Sequence, residues 1–483
     1  MSRESLEHYL RDETRRGDVP TGAFTGAAGG AACGDVSRIS LVIEDGRIGD
    51  ATFDAEGCGA MRAATAAAVD LVVGEAVLDV ARVGVDEIDS ALGGLTPAKR
   101  HAARLAADAL HRALASAAAS EERLAADRPA RVLVAMSGGV DSAVAALLER
   151  ERGAEVVGVT LKLWADPETD GAKACCSPEA VLGARALAHS LGIPHLTLDL
   201  EEEFRRRVVA GFVEGYAAGR TPNPCVLCNG EVRIAAMADL ASRLGASRLV
   251  TGHYARIVDD GEGPLLAAAA DSAKDQSYML AALPTGLLGR LSFPLAGLEK
   301  PAVREIASRH GLAVARKPES QDLCFLAGQG KREFLRRHGG LGDSEGELRD
   351  RAGRRVGRHR GHHNFTVGQR RGIGVAAGEP LYVLSTDAVD NSVTVGAREE
   401  LEARAVAVRD ATLHRDGAEV DAVRLRYRTR PVPARVAGSA RSGDHESLEL
   451  QLSEPFAGPA PGQAAVLLRG EQVVGHGTIA ASA

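Results

Sequence analysis

The sequence predicts a multidomain protein: an α+β unit first, then an α/β domain with a parallel sheet, a small central domain and a C-terminal antiparallel β-barrel. Three observations predict this arrangement. The 483 residues are too many for one hydrophobic core and correspond to about three domains of roughly 150 residues. Apolar strands alternate with helices from Val132 onward. Strands dominate the chain from about Glu402.

The first unit is predicted to span residues 1–118. Alternating apolar and polar residues over 36–57 indicate β-strands, and alanine-rich stretches predict helices over Met61–Val73 and Pro97–Ala119. The charged, alanine-rich stretch that follows is expected to end the last helix and to form a linker over 119–130.

The second unit is predicted to span residues 131–326. Short apolar runs at 132–136, 155–164 and 194–200 alternate with helical stretches, and a further strand is expected at 247–255. Buried strands that alternate with helices indicate a parallel sheet covered on both faces. Ligands of such sheets bind at the carboxyl ends of the strands, and the candidate motifs of this unit all follow a strand.

The remaining chain is predicted to form two smaller units. A short region rich in glycine and arginine occupies 327–400, where the alternation of helices and strands fades. From 401 to 483 closely spaced short strands predict a small antiparallel barrel or sandwich.

Composition and the N-terminus restrict the cellular setting. The content of hydrophobic residues is 45% and that of charged residues 25%, as in ordinary soluble globular proteins. The sequence contains no run of 18 apolar residues, so no membrane-spanning helix is predicted. The N-terminal residues carry charges throughout and lack the apolar stretch of a secretory signal. We therefore expect a cytoplasmic protein without a membrane partner. The seven cysteines then favour metal binding or catalysis over disulfides.

The charge is uneven along the chain. A net charge of −7 does not indicate a nucleic-acid binder. Between Arg349 and Arg371, however, eight arginines and three histidines accompany a single acid, Asp350, and a second basic run spans Arg424–Arg435. Such clusters can contact the phosphates of RNA, although a solvated surface would have the same composition.

The segment Ser137-Gly138-Gly139-Val140-Asp141-Ser142 joins a predicted buried strand to a helix. Its glycines permit a tight turn, and backbone N–H groups at a helix N-terminus bind anions. It lacks the Gly-Lys-Ser/Thr ending of a Walker A loop. A plain glycine-rich turn is the alternative. The order SGG-x-D-S resembles the pyrophosphate loop of ATP-pyrophosphatases, which implies ATP and Mg²⁺, with Asp141 as a plausible magnesium ligand.

Further motifs follow in a fixed order. They are TPNPCVLCN (221–229), TGHYAR (251–256), KDQSYML (274–280), RKPESQDLCF (316–325), FTVGQRRGIG (365–374) and RLRYR (424–428). Together they resemble the bacterial tRNA-specific 2-thiouridylase family over roughly Val132–Ala483. The resemblance implies a pyrophosphate-loop domain, a small central domain that contacts tRNA, and a C-terminal β-barrel.

Two cysteines acquire catalytic roles from this resemblance. In the family, the cysteine at the position of Cys324 carries a persulfide. The cysteine at the position of Cys228 takes part in releasing the sulfur and can form a disulfide with the first. Cys228 is expected where a helix begins, and a helix N-terminus favours the thiolate. The alternative is that both are buried small side chains.

Cys225 departs from the commoner family pattern, which has aspartate there. The three thiols of Cys225, Cys228 and Cys324 are therefore expected to converge, and three thiolates can hold a [4Fe–4S] cluster with one open iron. A persulfide route without a cluster and a structural zinc site are the alternatives. Cys175 and Cys176 receive no role.

The first unit resembles U-type iron–sulfur scaffold proteins through the segments Ala32-Cys33-Gly34-Asp35 and Glu56-Gly57-Cys58-Gly59-Ala60. A third similar segment has His101-Ala102 where the scaffold has His-Cys. The resemblance implies that Cys33, Asp35, Cys58 and His101 bind zinc or a labile cluster, which the fusion would bring close to the thiolation site. A domain that only stabilises or docks is the alternative.

The same resemblance implies further binding residues. ATP is expected on Ser137–Ser142, with Leu161 near the adenine and Gly252 lining the site. Asn223, Pro224 and Cys225 are expected beside the target base, which must leave its stack. The residues expected to contact tRNA are His253, Lys274, Asp275, Gln276, Arg426, Tyr427 and Gln463.

The leading prediction is an enzyme that adenylates the 2-carbonyl oxygen of the wobble uridine of tRNA with ATP, releases pyrophosphate and then transfers sulfur. Its partners would be tRNA and a sulfur donor such as a cysteine desulfurase or a sulfur carrier. Another ATP-pyrophosphatase, such as an amide-forming ligase, is one alternative. An iron–sulfur or sulfur carrier with a vestigial catalytic domain is the other.

Overall fold

The structure is a computed structural model, and it describes residues 3–30, 34–166, 178–318, 323–326, 328–375 and 378–480. Four units follow one another in the order that the sequence predicts, so the predicted fold class is confirmed. The residue bounds given above for these units remain predictions. None of the helices in the described part of the chain has the length and apolar content that crossing a bilayer requires.

The first unit packs a long helix across a small antiparallel sheet. Ile39 and Leu41 are fully buried, as the alternating sequence predicts. A Cβ on Gly26 would stand 2.2 Å from the carbonyl oxygen of Ala109 in the long helix, so glycine is required there. The strands, in the sheet order β1-β2-β3, are β1 (Phe24–Gly29), β2 (Val36–Glu44) and β3 (Arg47–Glu56). The helices are α1 (Arg3–Arg11), α2 (Gly59–Asp70), α3 (Val77–Val80), α4 (Val85–Ala91) and α5 (Arg100–Ser120).

The second unit contains a five-stranded parallel sheet in the order β10-β7-β4-β5-β6. The strands of the sheet are β4 (Arg128–Ala135), β5 (Glu155–Lys162), β6 (His195–Asp199), β7 (Ala246–Val250) and β10 (Leu291–Ser292). A separate hairpin is formed by β8 (Arg256–Asp259) and β9 (Pro264–Ala267). The chain starts at β4, runs outward through β5 and β6, and then continues on the other side of β4. Ligands of such sheets bind where the strand order reverses, which is here between β4 and β7. The strand β4 begins at Arg128, inside the stretch predicted as a linker, because Arg128 pairs with Ala246 of β7.

The helices of the second unit include two π-helical segments. The helices are α6 (Val140–Glu151), α7 (Pro178–Ser190), α8 (Glu201–Phe204), α9 (Ala210–Ala217), α10 (Pro224–Leu227), α11 (Ile234–Arg243), α12 (Ser277–Leu280), α13 (Thr285–Leu288) and α14 (Lys300–Arg309). One π-helical segment, Arg205–Val209, joins α8 to α9, and the other, Cys228–Arg233, joins α10 to α11. Such π-helical insertions occur frequently at functional sites.

The central unit is a four-stranded sheet in the order β12-β11-β14-β13, preceded by one helix. Its elements are α15 (Lys331–Gly339), β11 (Gly346–Arg349), β12 (Arg355–His359), β13 (Tyr382–Asp387) and β14 (Ser392–Gly396), with 3₁₀ turns at His362–Asn364 and Arg398–Leu401. Leu348, Val383 and Val393 are fully buried and form its core.

The C-terminal unit is a closed antiparallel barrel of six strands in the order β15-β18-β17-β16-β19-β20, closed by pairing of β15 with β20. The strands are β15 (Glu402–Leu413), β16 (Ala422–Arg424), β17 (Val432–Val436), β18 (Gly443–Ala457), β19 (Ala464–Arg469) and β20 (Gln472–Ile479), with a 3₁₀ turn at Gly417–Glu419. The hairpin β8–β9 of the second unit extends this sheet through the pair Gln472 and Ala267.

The first unit covers the open edge of the parallel sheet. Strand β6 is the edge strand, and α5 packs beside it. The backbone N–H of His195 in β6 donates to the carbonyl oxygen of Ala81 in the first unit over 3.0 Å. Unpaired edge strands are prone to pair with other chains, and a covering element prevents this.

Candidate active site

The glycine-rich loop lies between β4 and α6, where the strand order reverses. Gly138 adopts a left-handed conformation with φ of +67°, which favours glycine. The Ser142 hydroxyl donates to the carbonyl oxygen of Gly139 over 3.1 Å and accepts from the backbone N–H of Ser137 over 3.2 Å. The loop is therefore held in a compact turn that presents the N-terminus of α6 to a ligand.

Gly252, after β7, lies against this loop. A Cβ at position 252 would stand 2.8 Å from the backbone nitrogen of Ser142 and 2.8 Å from the carbonyl carbon of Asp141. Real Cβ atoms do not approach backbone so closely, so glycine is the residue that allows the two loops to touch.

A cleft of about 220 Å³ opens beside these two loops. The residues predicted for ATP, tRNA and catalysis that line it are Ser137, Asp141, Ser142, Leu161, Gly252, His253, Gln276 and Cys324. Three other loop residues contribute differently: Gly138 and Gly139 shape the backbone, and Val140 is packed in the core. The structure thus brings a candidate sulfur-carrying thiol and the candidate phosphate loop to one cleft.

Asp141 has two partners that the motifs do not reveal. The buried Lys300, at the start of α14, places its Nζ 2.7 Å from both carboxylate oxygens of Asp141. The Tyr254 hydroxyl donates to Asp141 Oδ1 over 3.0 Å. The carboxylate expected to bind magnesium therefore already faces a cation in this structure.

A second lysine connects the cleft to the loop of Cys324. The ammonium of Lys317 donates to the carbonyl oxygen of Gly138 over 2.9 Å. Lys317 precedes Cys324 by seven positions in the sequence. The phosphate loop is therefore in direct contact with the side chain of Lys317.

The helix near Cys228 begins earlier than expected. The Asn223 side chain caps α10 by accepting from the N–H groups of Cys225 and Val226 over 3.2 and 3.3 Å, and Pro224 occupies the first helical position. Asparagine as cap and proline at the first position are strong start signals. Cys225 therefore lies in the first turn, and the expected place of Cys228 at the helix start is wrong. Cys228 instead begins the π-helical segment.

Cys228 and Cys324 pack against one apolar cluster. Cys228 is buried and Cys324 is half-buried at its margin. Phe325, next to Cys324, is buried and packs edge-on against Phe212 with ring centroids 5.1 Å apart. This anchor fixes the short segment that carries the thiol. The segment 323–326 is flanked by residues outside the described part.

Cys225, Cys228 and Cys324 do not form a site for a single metal ion in the described part of the chain. Among the described residues, three potential metal-ligating side chains with ligand atoms within 4.8 Å of one another occur in one place, which is elsewhere. The cleft lining, as far as it is described, includes Cys324 but neither Cys225 nor Cys228. A [4Fe–4S] cluster holds its cysteine sulfurs farther apart than the ligands of a single ion, so the three-thiolate cluster stays a prediction.

That one place is in the first unit, at Asp35, Cys58 and His101. His101 Nε2 lies 2.9 Å from Asp35 Oδ2, and the Cys58 Sγ lies 3.8 Å from the same oxygen. His101 Nδ1 is bound to the carbonyl oxygen of Ala98 at 2.9 Å, an arrangement that orients metal-binding histidines. The predicted fourth ligand, Cys33, lies outside the described residues, as do Cys175 and Cys176.

Hydrogen bonds within this set shift its pKa values. The backbone N–H of Cys58, followed by the His101 ring, lowers the pKa of Asp35. The Asp35 carboxylate in turn raises the pKa of His101. Both shifts favour the charged pair when no metal is bound. A thiolate, a carboxylate and an imidazole fit the chemistry of a zinc site with an open fourth position.

Several residues predicted to contact tRNA also form contacts within the protein, and some of these contacts join the second unit to the barrel. The Asp275 carboxylate is 7% exposed and accepts from Arg424 over 2.8 Å. Gln463 donates to the carbonyl oxygen of Thr221 over 2.8 Å and so holds the loop before Asn223. Arg426 donates to the carbonyl oxygen of Gly458, and the Tyr427 ring lies 6.0 Å from that of Tyr278.

The other predicted tRNA contacts differ in exposure. Lys274 is half-buried. Gln276 lines the cleft, and its Oε1 accepts from the N–H of Tyr254 over 2.9 Å. His253 also lines the cleft, with Nδ1 2.7 Å from the Thr251 hydroxyl. Burial lowers the pKa of His253 to about 3, so the ring is neutral at physiological pH.

Models of four protein families match the chain in succession. Their descriptions are "NifU-like N terminal domain" over residues 2–122, "tRNA methyl transferase HUP domain" over 130–328, "tRNA methyl transferase PRC-barrel domain" over 332–397 and "Aminomethyltransferase beta-barrel domain" over 403–479.

Proteins with names also match this chain, either over its whole length or over the part that follows the first unit. The bifunctional protein NifU/MnmA of Rubrobacter xylanophilus is 47% identical over 488 residues, which cover 98% of this chain and 97% of the relative. The tRNA-specific 2-thiouridylase MnmA of Geobacter metallireducens is 43% identical and covers 73% of this chain and 97% of its own length. That of Streptomyces coelicolor is 44% identical, with 74% and 96% covered. The chain therefore belongs to the MnmA family, in the bifunctional NifU/MnmA form.

Proposed function

We propose that this chain is a tRNA-uridine 2-sulfurtransferase that uses ATP to activate the 2-carbonyl oxygen of the wobble uridine. The observation that carries the proposal is the position of Cys324 in the same cleft as Ser137, Asp141 and Ser142 of the glycine-rich loop. A phosphate site supplies activation, and an adjacent thiol supplies sulfur. The names of the relatives agree with this chemistry.

In the first step, the uridine oxygen attacks the α-phosphorus of ATP, and pyrophosphate leaves. The N-terminus of α6 and the loop N–H groups hold the phosphates, while Leu161 packs against the adenine. Oxygen attached to AMP becomes a good leaving group. Asp141 would help to hold the Mg²⁺ that accompanies ATP, beside the ammonium of Lys300.

In the second step, the terminal sulfur of a Cys324 persulfide attacks C2, and AMP leaves with the former carbonyl oxygen. The Cys228 thiolate then attacks the Cys324 sulfur. The bond between the Cys324 sulfur and the sulfur now attached to C2 breaks. The nucleoside leaves as 2-thiouridine, and a Cys228–Cys324 disulfide forms. A thiol reductant and a sulfur donor restore the persulfide.

Neutral His253 is a suitable hydrogen-bonding group in the cleft, because burial keeps its pKa near 3. We assign Asn223, Pro224 and Cys225 to the neighbourhood of the base. Lys274, Arg426 and Tyr427 are assigned to the tRNA surface, with Asp275, Gln276 and Gln463 holding the loops behind them. No step is assigned to an iron–sulfur cluster.

The NifU-like unit is proposed to bind zinc or a labile cluster through Asp35, Cys58 and His101. The three ligand atoms lie within 4.8 Å of one another, which supports the assignment. Because the unit is packed against β6 through α5, it would hold its metal at a fixed position relative to the catalytic sheet.

Exchange of labelled pyrophosphate into ATP tests the function. We expect exchange that depends on tRNA and persists in Cys324→Ser, because activation precedes sulfur transfer. An amide-forming ligase would show exchange without tRNA, and a carrier would show none. A methyl transferase, the reaction named in two of the family descriptions, would likewise show none.

A further inference from the structure

A second cleft lies at the junction of the NifU-like unit and the catalytic domain. Its volume is about 530 Å³, and it is lined by α5 on one side and by β5, β6 and α7 on the other. Cavities of this size at domain boundaries commonly bind small molecules. It is separate from the ATP cleft, because the residues that line the two clefts do not overlap.

Positive charge in the wall of this cleft is concentrated beside Asp108. Arg185 of α7 donates from Nη1 to Asp108 of α5 over 3.3 Å, and Arg112 donates to the same carboxylate over 2.9 Å. Two guanidinium groups therefore share one acid. On the other side of the cleft Lys162 pairs with two carboxylates, Asp199 at 2.9 Å and Glu201 at 2.7 Å, so the surplus of positive charge is confined to the side that holds Arg112 and Arg185.

Two hydrogen-bond donors in the wall lack partners. Arg185 has a side chain only 9% exposed, and its buried Nε has no hydrogen-bond partner in the described structure. The buried hydroxyl of Thr197, on β6, also has none there. Buried donors are nearly always satisfied by protein, water or ligand, so two in one wall indicate a missing acceptor.

The remaining wall is apolar or neutral. Ala115 of α5 faces the cleft together with Val181 and Leu182 of α7. His111 adds no charge, because burial lowers its pKa well below the ordinary value. A ligand that fits this wall carries acceptor oxygens and negative charge at one end and an apolar body at the other.

We propose that this cleft binds a small organic anion, whose carboxylate or phosphate oxygens accept hydrogen bonds from the Arg185 guanidinium and the Thr197 hydroxyl. The body of the ligand lies between Ala115 and Val181. The site combines residues of both domains, so it exists only where the NifU-like unit is docked. A bound anion stabilises that docked arrangement by mass action.

Calorimetric titration of the full chain tests the proposal with phenyl phosphate and benzoate as probes and with benzyl alcohol as the neutral counterpart. We expect at least one anion to bind and the alcohol not to bind. Binding of phenyl phosphate alone assigns a phosphate ligand, binding of benzoate alone assigns a carboxylate, and binding of both assigns an oxyanion in general.

Two variants locate the binding. Thr197→Val keeps the shape of the side chain and is expected to weaken binding about tenfold through the lost hydrogen bond. Ala115→Leu fills the cleft and should abolish binding, whereas Ala313→Leu, at an exposed position away from the cleft, should not change it. Circular dichroism checks that each variant is folded.

The proposal is overturned if neither anion binds at about 10 mM, a concentration that detects even weak sites. It is equally overturned if Thr197→Val and Ala115→Leu both bind like the unaltered chain, because the anion would then occupy the phosphate loop or another site. Neither result would affect the proposed thiolation chemistry.

Discussion

The ammonium of Lys300 stands 2.7 Å from each carboxylate oxygen of Asp141, although the two residues are 159 positions apart. Lys300 is buried, and Tyr254 completes the group from the loop after β7. The carboxylate at the phosphate loop is thus neutralised before ATP arrives. We infer that this pair lowers the repulsion between Asp141 and the phosphates of ATP.

Lys300→Met should destabilise the fold and weaken ATP binding. The variant leaves a carboxylate that is 31% exposed with the Tyr254 hydroxyl as its neutral partner. We expect a loss of about 1–3 kcal/mol in the free energy of unfolding, less than for a fully buried pair because Asp141 reaches solvent. Urea unfolding measures the stability, and equilibrium dialysis with labelled ATP measures the affinity.

Lys99→Met is the matched control, since Lys99 is exposed on the first unit. Lys99→Met should change neither the free energy of unfolding nor the affinity for ATP. If Lys300→Met bound ATP as tightly as the unaltered chain, the ion pair would have a structural role alone.

Gly252→Ala should impair ATP binding with little effect elsewhere. The added Cβ meets the backbone of Asp141 and Ser142 at 2.8 Å, so one of the two loops must move. A strain of this kind typically costs about 1–3 kcal/mol, which corresponds to roughly a tenfold or larger loss of ATP affinity if the loop shifts. Gly286→Ala, where the new methyl group meets nothing within 4 Å, serves as control. Equal affinities in the two variants would contradict the account.

Acidification should weaken the junction between the NifU-like unit and the catalytic domain. Burial lowers the pKa values of His111, His189 and His195 below the ordinary 6.5. Below pH 6.5 the unfolded chain takes up protons that the folded chain cannot, so stability falls as the pH falls. Above pH 6.5 these groups contribute no pH dependence.

His111→Gln isolates one of these groups. Glutamine can still donate to the carbonyl oxygen of Val83, which His111 Nε2 contacts at 2.9 Å. Between pH 6 and the lowered pKa the slope of stability against pH should decrease by up to about 1.4 kcal/mol per pH unit, the value for one proton. Denaturant unfolding at several pH values measures this slope. An unchanged slope would show that His111 does not titrate differently in the two states.

Cys225→Ala should retain sulfur transfer in a metal-free preparation. The persulfide route uses Cys228 and Cys324, so it does not require the thiol of Cys225. Anaerobic reconstitution followed by iron counting and EPR spectroscopy checks for a cluster. A cluster that is lost with Cys225, together with activity, would support the hypothesis that three thiolates hold iron.

Local signals in the sequence predict much of the site. The segment Ser137–Ser142 forms the expected turn, because its glycines and the following helix are adjacent in the chain. The start of α10 is also a local signal, since Asn223 and Pro224 form a cap and a first helical position. The prediction that the helix begins at Cys228 is wrong because it does not use this capping signal.

Contacts between distant segments have no such signal. Lys300 follows Glu299 and precedes Pro301 in an ordinary charged helix start, and nothing there indicates a buried partner of Asp141. The docking of α5 beside β6 depends on Arg185 and His195, whose burial the sequence pattern does not predict. Asp275 likewise appears in a motif, but its pairing with Arg424 requires the barrel to be in place.

Mass spectrometry of tRNA nucleosides tests the central claim most directly. Unmodified tRNA is incubated with the full chain, ATP, Mg²⁺ and a sulfur donor, and the wobble nucleoside is then analysed. We predict 2-thiouridine with one AMP and one pyrophosphate formed per sulfur, and none of the thiolated nucleoside with Cys324→Ser. Unchanged uridine at the wobble position, in a preparation that binds both ATP and tRNA, would contradict the account.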